Sequence, residues 1–186
     1  LLYAAAGAPV CPNCGTPGEA ADAREIADRV EQAFEGRRIA VLAPVLRMKK
    51  GLHKELLEEA RNRGVSTLRV DGRFRDAADL KELERYQLHD VDFLVAETTV
   101  DPAGRETLRS GVERALNDGE GNLFVLPFEG QLPETAGDEE GRYYSARHDC
   151  PRCGETLPVP DPRLFSFTDR YGACPHCAGS GIEREA

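Results

Sequence analysis

The cysteines constrain this chain most. All six fall into three C-x-x-C pairs, Cys11/Cys14, Cys150/Cys153 and Cys174/Cys177, and none lies between Cys14 and Cys150. Three pairs at one spacing are a metal-ligand pattern rather than a disulfide framework. In an acidic chain they point to a reducing compartment, the cytoplasm. A C-x-x-C turn presents two thiolates on one side of an ion, and zinc takes four such ligands in a tetrahedron. The layout is that of a compact domain, residues 21–145, inserted between flanks at residues 1–20 and 146–186 that carry the metal ligands.

Three pairs cannot close two four-thiolate sites, so two pairings compete. In a local pairing Cys150/Cys153 joins Cys174/Cys177 across a spacing normal for a zinc module. In a bracketing pairing Cys11/Cys14 joins Cys150/Cys153, and Cys174/Cys177 waits for ligands beyond Ala186. The runs Cys11-Pro12-Asn13-Cys14-Gly15 and Cys150-Pro151-Arg152-Cys153-Gly154 match each other as twin knuckles, which favours bracketing. Either way four thiolates leave no open position for water, so the expected zinc is structural and implies no catalysis.

The middle reads as alternating helices and strands. Ile26, Val30 and Phe34 recur at four-residue steps, which predicts a helix over residues 21–34. Leu56, Leu57 and Ala60 give a second helix over 52–63 with Gly64 as its stop. Leu108, Val112 and Leu116 stripe a third, expected to be capped and opened by Asp101-Pro102. Apolar runs at 38–44, 65–71, 90–98, 122–128 and 142–147 read as strands, and Asp71-Gly72 as a turn. The acidic, Gly- and Pro-containing stretch 129–141 reads as a loop, and 157–162 as extended chain. The fold class is α+β, with a mixed or antiparallel sheet and helices, inserted between the zinc-knuckle flanks.

The formal charge is −9, and most of the acidic excess falls in residues 21–145. That disfavours a free-standing reader of duplex DNA and favours a protein-interaction role. No apolar run is long enough to span a membrane. The chain lacks an initiator Met and a signal peptide, and is expected to be an internal piece of a longer protein.

Against the acidic background a few basic groups stand out. Lys49, Lys50, His53 and Lys54 cluster at a strand-to-helix junction, where the helix dipole disfavours cations; DNA phosphate or an acidic partner surface would reward them. Arg69, Arg73 and Arg75 flank the Asp71-Gly72 turn and are expected to share one strand face as a stripe that steers a charged partner. Arg152, Arg163 and Arg170, near the late cysteines, are candidate phosphate contacts. His148 and His176 adjoin the cysteine pairs, His148 as a neighbour of the site rather than a ligand. Phe165 and Phe167 are expected in the core. No G-x-x-x-x-G-K-[ST] loop and no nucleophile–base constellation is present, so the chain is expected to have no catalytic activity of its own.

One run is specific enough to suggest a family. Asp161-Pro162-Arg163-Leu164-Phe165-Ser166-Phe167, followed by Tyr171-Gly172-Ala173-Cys174-Pro175-His176-Cys177-Ala178-Gly179-Ser180-Gly181, resembles the A subunit of the bacterial excinuclease. Leu1-Leu2-Tyr3-Ala4 with Pro9-Val10-Cys11-Pro12, Leu42-Ala43-Pro44-Val45 with Lys49-Lys50-Gly51-Leu52-His53-Lys54, and Arg69-Val70-Asp71-Gly72 are also similar to that family. The resemblance covers essentially the whole chain. It implies a segment of the N-terminal ATPase half of a nucleotide-excision-repair protein. The inserted domain would bind the UvrB-like subunit, and a transcription-repair coupling factor as a second partner. DNA would be handled through the parent chain, and the glycine-rich third pair completed far downstream, in favour of bracketing. Cys14 stands where many members have His. Thr67 and Glu97 replace expected arginines on the docking face, leaving Glu97 with Arg69, Arg73 and Arg75 as the candidate partner contacts. The competing reading is a stand-alone zinc-dependent DNA-binding module.

Overall fold

A computed structural model describes residues 7, 9–17, 20–147, 150, 152–153, 155, 157, 161–169, 171–174 and 176–182. Its elements run α1 (Ala23–Ala33), β1 (Arg38–Lys50), α2 (Lys54–Asn62), β2 (Thr67–Val70), β3 (Arg73–Asp76), β4 (Leu88–Thr99), α3 (Arg105–Asp118), β5 (Asn122–Phe128) and β6 (Arg142–Ser145), with a short 3-10 turn at Pro162–Phe165. The six strands form one antiparallel sheet in the order β3-β2-β4-β1-β5-β6. The fold is α+β, as the sequence pattern indicates.

Local chemistry sets the boundaries. Asp22 caps α1, its Oδ1 accepting from the Glu25 N–H at 2.8 Å. Gly64, at φ +73°, ends α2, and the Val65 N–H returns to the Ala60 carbonyl at 2.9 Å. Asp71 (φ +51°) and Gly72 (φ +80°) form the two-residue hairpin turn between β2 and β3, where positive φ at both positions matches the twist of the strands. Asp101 does not open α3. It accepts from the Gly104 N–H at 2.7 Å in a turn, and the helix starts at Arg105. The first strand runs past Pro44 to Lys50, six residues further than its apolar run. Beyond Leu42 only β4 pairs with β1, which leaves room for a proline without an N–H to donate.

The sheet has two unlike faces. One packs against α1, α2 and α3, burying Ile26, Val30, Leu57, Leu108 and Val112 against Ile39, Val41, Val91, Phe93, Leu123 and Val125. The other carries no helix. Its small cluster of Ala40, Leu42, Phe124, Leu126 and Phe128 is partly covered by Leu132 and Ala136 of the acidic loop. That loop also reaches the far edge: Thr135 bridges Arg73, and Glu134 accepts from the Phe74 N–H at 2.9 Å. At the opposite edge Ala20 bridges Ser145. The β3 edge is thus covered by the loop, and the β6 edge is met at Ser145.

Two expectations about side chains change. Arg69 pairs with Phe74, whereas Arg73 and Arg75 pair with Val70 and Leu68, so Arg69 lies on the opposite face from the other two and no shared stripe forms. The odd offset across a two-residue turn causes this. Phe165 and Phe167 are not core residues in this chain but are 54 % and 71 % exposed. Of the stretch 157–162, residues 158–160 lie outside the described residues, as do His148 and Arg170. Among the described residues no helix is long and apolar enough to cross a membrane.

Candidate metal centre

The two knuckles fold alike. In the first, the Cys11 N–H donates to the Thr16 carbonyl at 2.9 Å; in the second, the Cys150 N–H donates to the Glu155 carbonyl at 2.7 Å. Gly15, at φ +72°, lets the first turn close, and its N–H donates to the Cys11 carbonyl at 2.9 Å. The knuckles face each other, and Asn13 Nδ2 donates to Glu155 Oε2 across the gap at 2.9 Å.

Four sulfurs meet between them. Cys11 Sγ lies 3.5 Å from Cys153 Sγ, and Cys14 Sγ lies 3.4 Å from Cys150 and 3.7 Å from Cys153. All four are within 4.8 Å of one another. A tetrahedron with metal–sulfur bonds of about 2.3 Å has edges of about 3.8 Å, so the spacing fits a four-thiolate ion. It does not fit disulfides, whose sulfurs are bonded at about 2.05 Å, and all six cysteines are free thiols. Cys11 and Cys150 are buried and pack with Leu157, so the cluster has an apolar inner wall.

The electrostatics differ from one sulfur to the next. Burial opposes the Cys14 thiolate, but hydrogen bonds from Thr16, Cys150 and Cys11 outweigh it and bring the thiol to about 6. Burial pushes Cys150 up to about 12 and raises Cys153. Cys14 therefore ionises readily, whereas Cys150 and Cys153 resist. A dication among them reverses that resistance and deprotonates its ligands outright.

The third pair stands apart. Among the described residues no further Cys, His or acidic ligand set joins Cys174 and Cys177. Backbone N–H groups of Cys177 and His176 and the Cys177 thiol lower the Cys174 thiol. His176 is exposed. Of the two pairings open from sequence, this geometry is the bracketing one.

The basic candidates scatter. Lys49 and Lys50 are exposed at the end of β1. His53 begins α2 in the left-handed region, and Lys54 pairs with Glu82 at 2.7 Å. Arg163 pairs with Asp161 at 2.7 Å, and Arg152 lies 3.7 Å from Asp138. Arg73 and Arg75 are exposed on the edge strand, and Glu97 pairs with Arg38 at 3.3 Å. Arg69 is buried, its guanidinium held by Asp92 at 2.8 Å and Asp138 at 2.5 Å over the Phe124 ring. The partners Asp92, Arg47, Asp138 and Tyr143 escaped the sequence reading, since nothing local marks them.

Comparison with known proteins identifies the family. The model of the UvrA interaction domain matches residues 22–129. UvrABC system protein A of Deinococcus radiodurans is 38% identical over 190 residues, and that of Thermus thermophilus 37% identical over 187 residues. The same-named protein of Mycobacterium tuberculosis is 39% identical over 187 residues. Each match covers 100% of this chain but only 18% or 19% of the relative. With the interaction-domain match over more than half its length, this chain belongs to the UvrA family.

Proposed function

We propose that the chain is the partner-docking segment of a nucleotide-excision-repair damage-recognition ATPase, and that it holds a UvrB-like subunit on the helix-free face of its sheet. The observation that carries this reading is the open face itself. Thr67, Phe74, Leu94 and Glu97 reach solvent there beside Arg38, a mix of apolar and charged groups suited to a polar-rimmed interface. The relatives' names place their proteins in a system of several components. A transcription-repair coupling factor is a second candidate for the same face.

A structural zinc held by Cys11, Cys14, Cys150 and Cys153 would clamp the two ends of the inserted domain. Such an ion would supply a cross-link and no reaction, and the chain itself catalyses nothing. DNA reaches it through the rest of the parent, with the exposed Lys49 and Lys50 as contacts, and the setting is cytoplasmic.

The test is calorimetric binding of the chain to UvrB from the same organism. Wild type should bind, and Leu94→Asp should weaken binding at least tenfold while leaving the fold intact. No binding by the wild-type chain, folded and loaded with zinc, would overturn the reading.

A further inference from the structure

The four sulfurs of the metal centre are not equivalent. Cys11 and Cys150 are buried, 2 % and 0 % exposed, and pack with Leu157. Cys14 and Cys153 reach solvent. Each knuckle therefore holds one enclosed sulfur and one open sulfur. The shortest contacts cross from one knuckle to the other. The open Cys153 Sγ lies 3.5 Å from the enclosed Cys11 Sγ, and the open Cys14 Sγ lies 3.4 Å from the enclosed Cys150 Sγ. The two open sulfurs are 3.7 Å apart. Each open sulfur thus has an enclosed neighbour in the opposite knuckle, and the two pairs share no member.

Backbone geometry holds this register. The Cys11 N–H and the Cys150 N–H close the two turns on the Thr16 and Glu155 carbonyls. The Asn13–Glu155 hydrogen bond then joins the turns to each other. Asn13 lies between Cys11 and Cys14, and Glu155 follows Cys153 by two positions, so this bond keeps the two crossed pairs side by side. Among the described residues Cys174 and Cys177 join no such four-sulfur group.

We propose that the four-sulfur site is also a peroxide-responsive switch, in which a hydroperoxide converts the thiolates into two bridges between the knuckles, Cys11–Cys153 and Cys14–Cys150. Thiolate oxidation follows exposure, and a neighbouring thiol resolves the sulfenic acid. Cys153 and Cys14 are thus the attacked sulfurs, and Cys11 and Cys150 the resolving ones, shielded from peroxide by their burial. The Cys153 thiolate attacks the O–O bond, forming an S–O bond and expelling hydroxide. The Cys11 thiolate then attacks that sulfur, forming the S–S bond and expelling the second hydroxide. Two electrons pass from the sulfurs to the peroxide oxygens, and solvent protons turn both hydroxides into water. Cys14 and Cys150 repeat the sequence with a second peroxide. Bridged sulfurs no longer offer the thiolates that zinc requires and release it. A C-x-x-C pair that closed on itself would release the ion too, but it would part the flanks. The crossed pairing keeps them joined, a covalent link replacing the metal one. The proposal rests on reading these cysteines as a structural zinc site and does not involve the docking face.

The experiment treats the zinc-loaded chain with hydrogen peroxide, follows zinc release with a chromogenic chelator, and maps the products by unreduced tryptic digestion and tandem mass spectrometry. The map should show Cys11–Cys153 and Cys14–Cys150. With Cys174→Ser and Cys177→Ser removing the competing exposed pair, zinc loss should be complete at about two peroxides per ion. Dithiothreitol with added zinc should restore about one ion per chain. Cys11→Ser takes away the resolving partner of Cys153 alone. Dimedone, which labels sulfenic acids, should then mark Cys153 and leave the Cys14–Cys150 bridge in place. The proposal is overturned by bridges within the knuckles, by a Cys14–Cys153 bridge, or by sulfinic acid at Cys14 and Cys153 without bridges. Dimedone on Cys150 in the Cys11→Ser variant overturns it as well. An untreated chain that holds no zinc would strike the zinc reading instead, and the same map on the metal-free chain would still decide the pairing.

Discussion

Arg69 Nη1 and Asp92 Oδ2 meet at 2.8 Å with both side chains almost wholly enclosed, 5 % and 1 % exposed. The second carboxylate oxygen of Asp92 holds Arg47. Arg69 continues to Asp138, which takes the Tyr143 hydroxyl and faces Arg152 of the second knuckle. The chain of contacts ties the helix-free sheet face to the acidic loop and, through it, to the metal-binding flank. Asp92 is its centre, one carboxylate between two guanidinium groups.

Asp92→Asn keeps the size of that side chain and removes the charge. Arg47 would then face a neutral amide, Arg69 would keep only Asp138, and an unpaired buried charge typically costs about 3–5 kcal/mol. Urea unfolding should show a loss of that order. A loss below about 1 kcal/mol would mean that the network is solvated and contributes nothing.

The four-sulfur cluster makes a stoichiometric prediction. The chain should carry about one zinc, which is the capacity of one complete four-ligand site. Cys11→Ser with Cys14→Ser should reduce it to near zero, because neither remaining pair meets another. Cys174→Ser with Cys177→Ser should leave it unchanged. Chelation should free the two flanks from each other while the sheet survives, since its core lies in residues 21–125 and does not touch the sulfurs. Elemental analysis and far-ultraviolet circular dichroism read the two parts separately. Zinc retained after loss of the early pair would assign the ion to the late cysteines.

How much of this was legible in the residues follows from range. The knuckles were, because each is a five-residue pattern and their match pointed to bracketing. The helices were, because apolar side chains at four-residue steps record burial locally. The Asp71-Gly72 turn was, because the two positions need positive φ. Arg69 was not. Its burial depends on Asp92 and Asp138, 23 and 69 positions away, and a sequence cannot show that a charge has found its counter-charges. The end of β1 was missed for a related reason: Met48, Lys49 and Lys50 are exposed, and pairing with His89 and Leu88 rather than burial makes them strand. Phe165 and Phe167 read as core because aromatic residues usually are.

His89 supplies a pH dependence. It is buried, with Nδ1 2.7 Å from Asp71 Oδ2 and Nε2 2.8 Å from the Glu84 carbonyl. A neutral imidazole donates from one nitrogen only, and both neighbours accept. Burial pulls the pKa down, but the Asp71 and Glu84 hydrogen bonds and their charges win, and it lies above the ordinary 6.5. The folded state therefore holds this proton more tightly than the unfolded one. The contribution is full below the unfolded pKa and is lost as pH rises through the higher folded value. Urea midpoints should fall as pH rises above the ordinary histidine pKa of about 6.5, and His89→Gln should flatten that slope. Equal slopes in the two proteins would remove His89 as the cause.

Gly111 decides how closely α3 sits on the sheet. Glycine within a helix normally costs about 1 kcal/mol relative to alanine, so Gly→Ala there is usually stabilising. Here a Cβ at position 111 would stand 2.9 Å from the Ala96 Cβ, with Val41 4.0 Å away. Ala96 has no flexible end to move aside, and it belongs to the central strand β4, which is anchored to β1 and β2 on its two sides. The helix must lift, which would loosen Leu108, Val112 and Ala115 from the core together. Overpacking of this kind costs about 1–3 kcal/mol and outweighs the gain in propensity. Gly111→Ala should lower the urea midpoint, and Gly111→Ala with Ala96→Gly should recover most of the loss. A midpoint raised by the single substitution would show that α3 rides further from the sheet than these distances give.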